Sequence, residues 1–475
     1  MRRTFYLFLL FALGIISGCG ESEAALPTVA PTAVSLNIDS EATVPPTATL
    51  PATSTAAPEP ATATSEPTAT LEPTVTNTAV SEDSPTAEPI EESTEIPVEE
   101  PTESPTEEPP TATAEAVQPT AEATIPAPAP PPTTGDGSVP APTDNNYPGN
   151  DDRVGWENRI NVPAGFTVNY VGRVDGNPTS ITFGPDGLLY IAIQQGNIVS
   201  MDGAGNTNFY AGGFNTPTGI AFRPGTSLLY VSSRLRNENV NGEAQISIAN
   251  GGQVVGGLPC CYTFFHSANG IEFGADGFGY VGVGARADHG EILDGSGQQD
   301  ERHPLEAAIL RFNPDTGAVE TYARGLRNPY DIAWDANGQL WATDNTPDFD
   351  PPEEVHRVVP GGEHGYPWYD CDVCFAPPAD VNIIPPVYTF APSSSPTGIT
   401  AYTGSQFPSN YFNDKFVTLW SAFVGAQKVM RLSSGPPTNF ATGFAAPIDV
   451  IVGPEGSLYV ADWATGIIFK ISYTG

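Results

Sequence analysis

The first third of the sequence lacks the residues that build a folded core. Residues 20–146 of the 475-residue chain contain no Phe, Trp, Tyr, Lys or Arg, and 25 of the 50 prolines precede residue 151. Such a segment cannot bury enough apolar surface to offset the entropy lost on folding. We therefore expect residues 20–150 to be a disordered linker rich in Pro, Thr, Ala and Glu.

Basic residues and long apolar runs are also scarce. The chain has 18 Lys and Arg against 55 Asp and Glu, a net charge of −37. That charge repels polyanions and argues against a nucleic-acid partner. No apolar run beyond the first twenty residues has the length of a membrane span, which excludes a multi-pass membrane protein. Residues 151–475 hold all six tryptophans and suffice for one large core.

Residues 1–19 read as an export signal. Arg2 and Arg3 form its positive end, Phe5–Ile16 its apolar stretch, and Ile16-Ser17-Gly18-Cys19 its processing site. The processing site resembles the lipobox of bacterial lipoproteins, which implies that Cys19 carries the lipid and that the domain is exported and tethered to the membrane by this anchor alone. The alternative is an ordinary cleaved signal in which Cys19 has no role.

A repeated unit organises the remainder of the chain. Each copy has an apolar strand, a turn containing Asp-Gly, Asn-Gly or a related pair, and a second apolar strand, and such turns favour tight hairpins. The copies begin near residues 181, 220, 271, 332, 399 and 450, the fifth being degenerate. Their separations of 39 to 67 residues suit four-stranded propeller blades.

The predicted fold is therefore all-β, a six-bladed β-propeller over residues 151–475, with Val162–Tyr170 supplying a strand that closes the ring. A pair of β-sandwiches is the weaker alternative, because it does not explain six similar units. All five histidines lie between His266 and His364, where the inserts are longest. Loops of this kind are where a rigid scaffold carries function.

Several segments resemble the glucose/sorbosone dehydrogenase family, which comprises exported six-bladed propellers that oxidise sugars with pyrroloquinoline quinone and calcium. The segments are Gly325-Leu-Arg-Asn-Pro-Tyr-Asp-Ile-Ala-Trp, Gly338-Gln-Leu-Trp-Ala-Thr-Asp-Asn, Pro351-Pro-Glu-Glu-Val-His-Arg-Val, Gly361-Gly-Glu-His-Gly-Tyr-Pro-Trp, Ile160-Asn-Val-Pro-Ala-Gly-Phe-Thr-Val and Pro396-Thr-Gly-Ile-Thr-Ala-Tyr-Thr-Gly-Ser-Gln-Phe-Pro. Together they extend over roughly residues 156–475 in consistent order.

The resemblance assigns roles to individual residues. It makes His266 the general base that takes the proton of a sugar C1 hydroxyl, and it makes Arg327 and Asn328 contacts of the quinone. Without the resemblance, His266 reads as a loop histidine bonded to backbone, and Arg327 as a side chain that holds its loop through carbonyl groups.

The same resemblance implies a calcium site formed by Thr346, Pro347, Asp348 and Asp350, the first two through backbone oxygens. The alternative is a turn in which these carboxylates bond backbone amides. With calcium and the quinone, the protein would pass electrons from a sugar substrate to an external acceptor.

The sequence departs from the family where positive charge is expected. Ala446 and Ile448 stand in place of basic residues in the last blade, and Phe423 replaces a lysine, although Lys428 lies nearby as a candidate quinone contact. Ala285 replaces an acidic partner of the histidine, for which Arg286 or Asp288 could compensate.

These losses support a second hypothesis, a non-catalytic propeller that binds glycans or proteins at the cell surface. A calcium-dependent lactonase is a third, but the sequence shows no convincing inward ring of carboxylates.

Four cysteines follow Cys19, namely Cys260, Cys261, Cys371 and Cys374. Inside a cell two such pairs suggest zinc, whereas outside the cytoplasm they favour disulfides, with three possible pairings. A link between the two loops is the preferred prediction.

Overall fold

Six four-stranded antiparallel sheets form the blades of a propeller in the computed structural model, which describes residues 138–235, 242–261, 265–289, 303–348, 351–368, 379–423 and 425–475. The innermost strand of each blade contacts the innermost strands of its two neighbours, so the six blades close into a ring. This confirms the predicted all-β, six-bladed β-propeller.

Each blade is built from consecutive strands, except the last, which takes a strand from the start of the domain. Blades 1 to 3 comprise β2 (Pro178–Phe183), β3 (Leu189–Ile193), β4 (Asn197–Met201) and β5 (Thr207–Gly212); β6 (Asn215–Phe222), β7 (Leu229–Arg234), β8 (Gly242–Ile248) and β9 (Gln253–Cys260); and β10 (Ala268–Phe273), β11 (Gly279–Val283), β12 (Ala308–Phe312) and β13 (Val319–Arg324).

Blades 4 to 6 comprise β14 (Pro329–Trp334), β15 (Leu340–Asp344), β16 (Glu353–Arg357) and β17 (Tyr388–Phe390); β18 (Pro396–Ala401), β19 (Lys415–Leu419), β20 (Lys428–Leu432) and β21 (Thr438–Thr442); and β22 (Pro447–Val452), β23 (Leu458–Asp462) and β24 (Ile467–Tyr473) with β1 (Phe166–Arg173). Strand β1 pairs with β24 and completes blade 6, as the sequence predicted for Val162–Tyr170. A short 3₁₀ turn, Ser409–Tyr411, precedes β19.

The repeated turn motif has a specific structural basis. In blade 1, Asp186 accepts the Leu188 N–H at 3.1 Å and the Tyr190 hydroxyl at 2.9 Å, while Gly187 takes a positive φ of 79°. Asp276 and Tyr280 repeat the hydroxyl contact in blade 3 at 2.9 Å. The acidic residue thus fixes the hairpin and anchors the tyrosine of the following strand, and Gly supplies the backbone conformation that other residues resist.

Carboxylates and small residues join neighbouring blades around the central channel. Asp331 of blade 4 accepts the Ile399 N–H of blade 5 at 2.9 Å, and Asp449 of blade 6 accepts the Ile181 N–H of blade 1 at 2.7 Å. A Cβ on Gly270 would lie 2.2 Å from Asp331, so this position needs glycine. These inward carboxylates therefore act as inter-blade links.

The ordered domain begins before the boundary predicted at residue 151. Val139 donates its N–H to the Asn439 carbonyl at 3.2 Å and is buried. Tyr147 stacks on Trp156, which is fully buried in α1 (Arg153–Arg159), the helix capped by Asp152. Composition did not reveal these contacts because they join residues 139–152 to segments that are distant or of different composition.

The signal peptide, Cys19 and the linker up to residue 137 lie outside the described residues. Within the part of the chain that the structure describes, no helix has the length and apolar character of a membrane span.

Candidate functional site

The candidate site lies at one face of the ring, where the loops lead into the innermost strands of blades 3 and 4. His266 precedes β10 and is 5% exposed, and Arg327 and Asn328 precede β14 and are equally buried. Asn269 on β10 donates to the Asn328 Oδ1 at 2.9 Å and so connects the two blades. A Cβ on Gly284 would lie 2.6 Å from that Oδ1 and 3.1 Å from the His266 Cα, so a glycine is needed for the loops to meet. The structure thus brings His266, Arg327 and Asn328 together.

His266 is held as a neutral imidazole. Burial, followed by the positive charges of Arg327 and Arg234, lowers its pKa well below the usual value. The backbone of Ala285 lies beside the ring, at the residue where the resemblance implies an acid.

Neither residue suggested as a substitute for that acid fulfils this role. Arg286 pairs with Glu306 at 2.7 Å, and Asp288 pairs with Arg327 at 2.5 Å.

Arg327 is engaged by its own chain. Its Nη1 donates to the carbonyls of Asn345 at 2.9 Å and Thr346 at 2.8 Å, and its Nε donates to the Asp288 carbonyl at 3.1 Å. Burial alone would lower the pKa of Arg327, but the carboxylates of Asp288 and Asp348 raise it above the usual value. The guanidinium thus holds the surrounding loops together.

The three described residues of the predicted calcium site, Thr346, Pro347 and Asp348, do not fit calcium in this arrangement. The Thr346 carbonyl already accepts the Arg327 guanidinium, whose positive charge would repel a cation bound there. Pro347 is buried, Asp348 is exposed with its carboxylate 3.8 Å from Arg327, and Asp350 lies outside the described residues. The Asp348 backbone N–H donates to the Asp288 carboxylate at 3.2 Å.

A buried acid–histidine network supports the loop that carries Arg327 and Asn328. Asp344 accepts both of their backbone N–H groups, at 2.9 and 2.7 Å, and burial raises the pKa of this carboxyl to about 7. Its neighbours Glu354 and His356 are close enough to it to form a potential metal site.

Hydrogen bonds within the network account for the two histidines. Val359 donates to the His364 Nε2, which leaves the proton on Nδ1 to donate to the His356 Nδ1 at 3.3 Å. The His356 Nε2 then donates to Glu354 at 2.9 Å. These hydrogen bonds give both histidine rings partners without a metal. The clustering of histidines was visible in the sequence, but their pairing was not.

The other predicted residues are not brought to His266. Lys428 begins β20, two strands outward from the innermost strand of its blade, which is about 10 Å at the usual strand spacing. Burial lowers the pKa of its amine. Phe423 is 56% exposed, whereas Ala446 and Ile448 are buried, the latter in a cluster that also contains Phe265.

The preferred disulfide between the two loops stays a prediction. Cys260 and Cys261 are buried next to each other. Cys371 and Cys374 lie outside the described residues.

Sequence reasoning missed Arg234, the last residue of β7. Its side chain is 5% exposed, and its Nε and Nη2 have no acceptor among the described residues. The buried Oδ1 of Asn269 likewise has no donor there. Unpaired cationic donors and an unpaired acceptor on one face fit a ligand that has both carboxylates and hydroxyl or N–H groups.

A family model described as "Glucose / Sorbosone dehydrogenase" matches residues 248–469, from the last residue of β8 in blade 2 into β24. The matched part of the chain is similar to this family, in agreement with the resemblance found in the sequence.

Known proteins extend the likeness to the whole ring. A Borreliella burgdorferi protein described as uncharacterized is 25% identical over 363 residues, 66% of this chain and 91% of that protein. The aldose sugar dehydrogenase of Streptomyces coelicolor, solved in its quinone-bound form, is 18% identical with a TM-score of 0.51, over 66% of this chain and 99% of that one. The soluble aldose sugar dehydrogenase of Escherichia coli is 16% identical with a TM-score of 0.53, over 65% and 99%. At these identities the two structures show a shared fold.

Proposed function

We propose that the domain oxidises the C1 hydroxyl of an aldose or a sorbosone-like sugar with pyrroloquinoline quinone as cofactor, and that His266 is the general base. The observation that carries this proposal is the buried, neutral imidazole of His266, which feels the positive charges of Arg327 and Arg234. The match to the glucose/sorbosone dehydrogenase family model supports sugar oxidation in general.

The site offers a set of groups suited to the quinone. Arg234 supplies unpaired donors for a carboxylate, and Asn269 supplies an unpaired acceptor. The side-chain oxygen of Asn328 accepts a hydrogen bond from Asn269 at 2.9 Å. When bound, the quinone would accept the hydride that leaves the sugar carbon. No step is assigned to calcium, because the Thr346 carbonyl is occupied by Arg327.

His266 would take the proton of the sugar hydroxyl. In the neutral imidazole one ring nitrogen carries a lone pair that can accept this proton. The lowered pKa keeps this nitrogen unprotonated at neutral pH. A neutral base of this kind is the form that proton abstraction requires.

The proposal is tested by dye reduction with aldoses after supplying the quinone, with and without calcium. Replacing His266 with Ala should lower turnover by about 10²–10⁴-fold, the usual contribution of a general base. His303, an exposed histidine, provides the matched control His303→Ala, which should retain activity. Absence of turnover in the loaded wild-type protein, or equal rates for His266→Ala, would contradict the proposal.

A non-catalytic glycan- or protein-binding propeller is the second candidate. It is favoured by Ile448, which is fully buried among apolar side chains where the family resemblance implies a basic residue. Sugar binding without dye reduction in the same assay would support this candidate.

Export and anchoring complete the proposal and rest on residues 1–19 of the sequence. Cys19 would carry the lipid and hold the domain outside the cytoplasm, where an external acceptor receives the electrons. Labelled palmitate should enter the wild-type chain and not Cys19→Ser. Equal labelling of both would exclude Cys19 as the attachment site.

A further inference from the structure

One position of each blade lies at the mouth of the central channel. The strand registers pair Ile191 with Ile181, Val231 with Ile220, Val281 with Ile271, Ala342 with Ile332, Val417 with Ile399 and Val460 with Val450. Three residues further along each second strand come the equivalent positions, here called the mouth ring: Gln194, Arg234, Gly284, Asn345, Trp420 and Trp463.

Contacts between members confirm that this ring surrounds the mouth. Trp463 donates its Nε1 to the Gln194 side chain at 2.9 Å, and its ring lies 5.5 Å from that of Trp420. Trp420 in turn packs on Phe265, the neighbour of His266, at 5.8 Å. Arg234 therefore occupies a position whose counterparts face the mouth, in the blade next to His266.

Arg234 differs from the other buried guanidinium at this face. Arg327 donates to three backbone carbonyls and to Asp288. The Nε and Nη2 of Arg234 have no acceptor in the described part of the chain. The nearest acid on the adjoining strand is Glu243. Arg234 is paired with Ala244, and Glu243 lies opposite Leu235, so the side chains of Glu243 and Arg234 point to opposite faces of the sheet. Burying a charge without a partner is costly, which favours an anionic partner from outside the chain.

We propose that Arg234 binds a carboxylate group of the ligand that occupies the mouth beside His266. A planar guanidinium pairs with a carboxylate through two parallel hydrogen bonds, and Arg234 has its Nε and Nη2 available for that geometry. The carboxylate belongs either to the quinone cofactor or to an acidic sugar such as a hexuronate. This inference rests on the proposed function for the identity of the site. It places on Arg234, in blade 2, the positive charge that blade 6 lacks.

Titration calorimetry of the full chain with pyrroloquinoline quinone, glucuronate and glucose tests the assignment. Arg234→Gln should weaken binding of the carboxylate-bearing ligand by roughly 30-fold or more, as expected when one partner of a buried ion pair is removed, and Arg234→Lys should restore part of it. Arg223→Gln is the matched control, because Arg223 lies in the same blade in an exposed pair with Asp315. Loss of quinone affinity identifies the cofactor as the source, and loss of glucuronate affinity identifies the substrate.

Thermal unfolding provides the second readout. Ligand-free Arg234→Gln should unfold at the same or a higher temperature than the wild type, because it lacks the uncompensated charge. Ligand should raise the unfolding temperature of the wild type and not of the variant. Equal affinities of wild type and Arg234→Gln, or failure of the wild type to bind either acidic ligand, would overturn the inference. Glucose oxidation by the loaded wild type, alongside equal affinities of wild type and Arg234→Gln for both the quinone and glucuronate, would refute this inference alone. Arg234-dependent binding without dye reduction would refute the proposed function alone.

Discussion

The two halves of the site face differ in chemistry although they share one fold. Blades 2 to 4, the polar half, contribute Arg234, His266 and Asn269, all buried. Blades 5 and 6, the apolar half, contribute Trp420 and Trp463 at the mouth, with Ile448 and Ala446 packed below. The family resemblance places cationic contacts in the half that is apolar here. The positive charge that recognises an anionic ligand must therefore come from the polar half.

Placing a basic residue in the apolar half gives the largest expected effect. Ile448→Arg should lower the free energy of unfolding by about 3–5 kcal/mol, because an unpaired charge would be buried among Phe265, Tyr330 and Ala461. Urea unfolding of the full chain measures this loss. Ile448→Val, which removes one methylene, should cost only about 1 kcal/mol. If Ile448→Arg is as stable as Ile448→Val and binds the quinone more tightly, the apolar half can also hold an anion.

A smaller effect should come from the histidines beneath the polar half. Burial, followed by the charge of His356, lowers the pKa of His364 to about 3. Between pH 6.5 and 3 His364 is protonated in the unfolded chain and unprotonated in the folded chain, so the free energy of unfolding falls as pH falls. At pH 5 this effect of His364 lowers the free energy of unfolding by about 2 kcal/mol. The stability difference between pH 7 and pH 5 should therefore be smaller by that amount in His364→Gln.

The control for this prediction is His303→Gln, which alters an exposed histidine. It should leave the difference between pH 7 and pH 5 unchanged. An unchanged difference in His364→Gln as well would show that His364 is protonated in the folded chain.

The sequence alone was sufficient for the architecture. Each hairpin signature carries local information, because the acidic residue, the glycine and the tyrosine of one turn contact one another, as Asp186 and Tyr190 do. The closing strand was predictable because the segment that forms β1 precedes the first repeated unit and belongs to none of the six. The early start of the domain was not, since Val139 is held by a backbone hydrogen bond.

The site was predicted less completely because its contacts join distant segments. His266 and Asn328 were found through motifs, and the structure places them together. The role of Arg234 becomes visible only after the strand registers align it with Trp420 and Trp463. Arg327 was expected to bind a cofactor, but nothing in its motif reveals that Asp288 and two loop carbonyls already bind it.

The smallest effect concerns the channel below the mouth, where the two halves meet. Glu272 lies on β10 in the polar half, and burial followed by the charge of Asp449, from the apolar half, raises its pKa to about 7. Between pH 4.5 and 7 the folded chain binds a proton that the unfolded chain has released, so stability falls as pH rises. In urea unfolding, Glu272→Gln should reduce the loss of unfolding free energy between pH 5 and pH 8 by about 1–2 kcal/mol. This is less than a fully buried group would give, because Glu272 is half-buried. The exposed Asp380 provides the control Asp380→Asn. If Glu272→Gln loses as much stability as the wild type, the two carboxylates do not interact across the channel, and the halves are electrostatically independent.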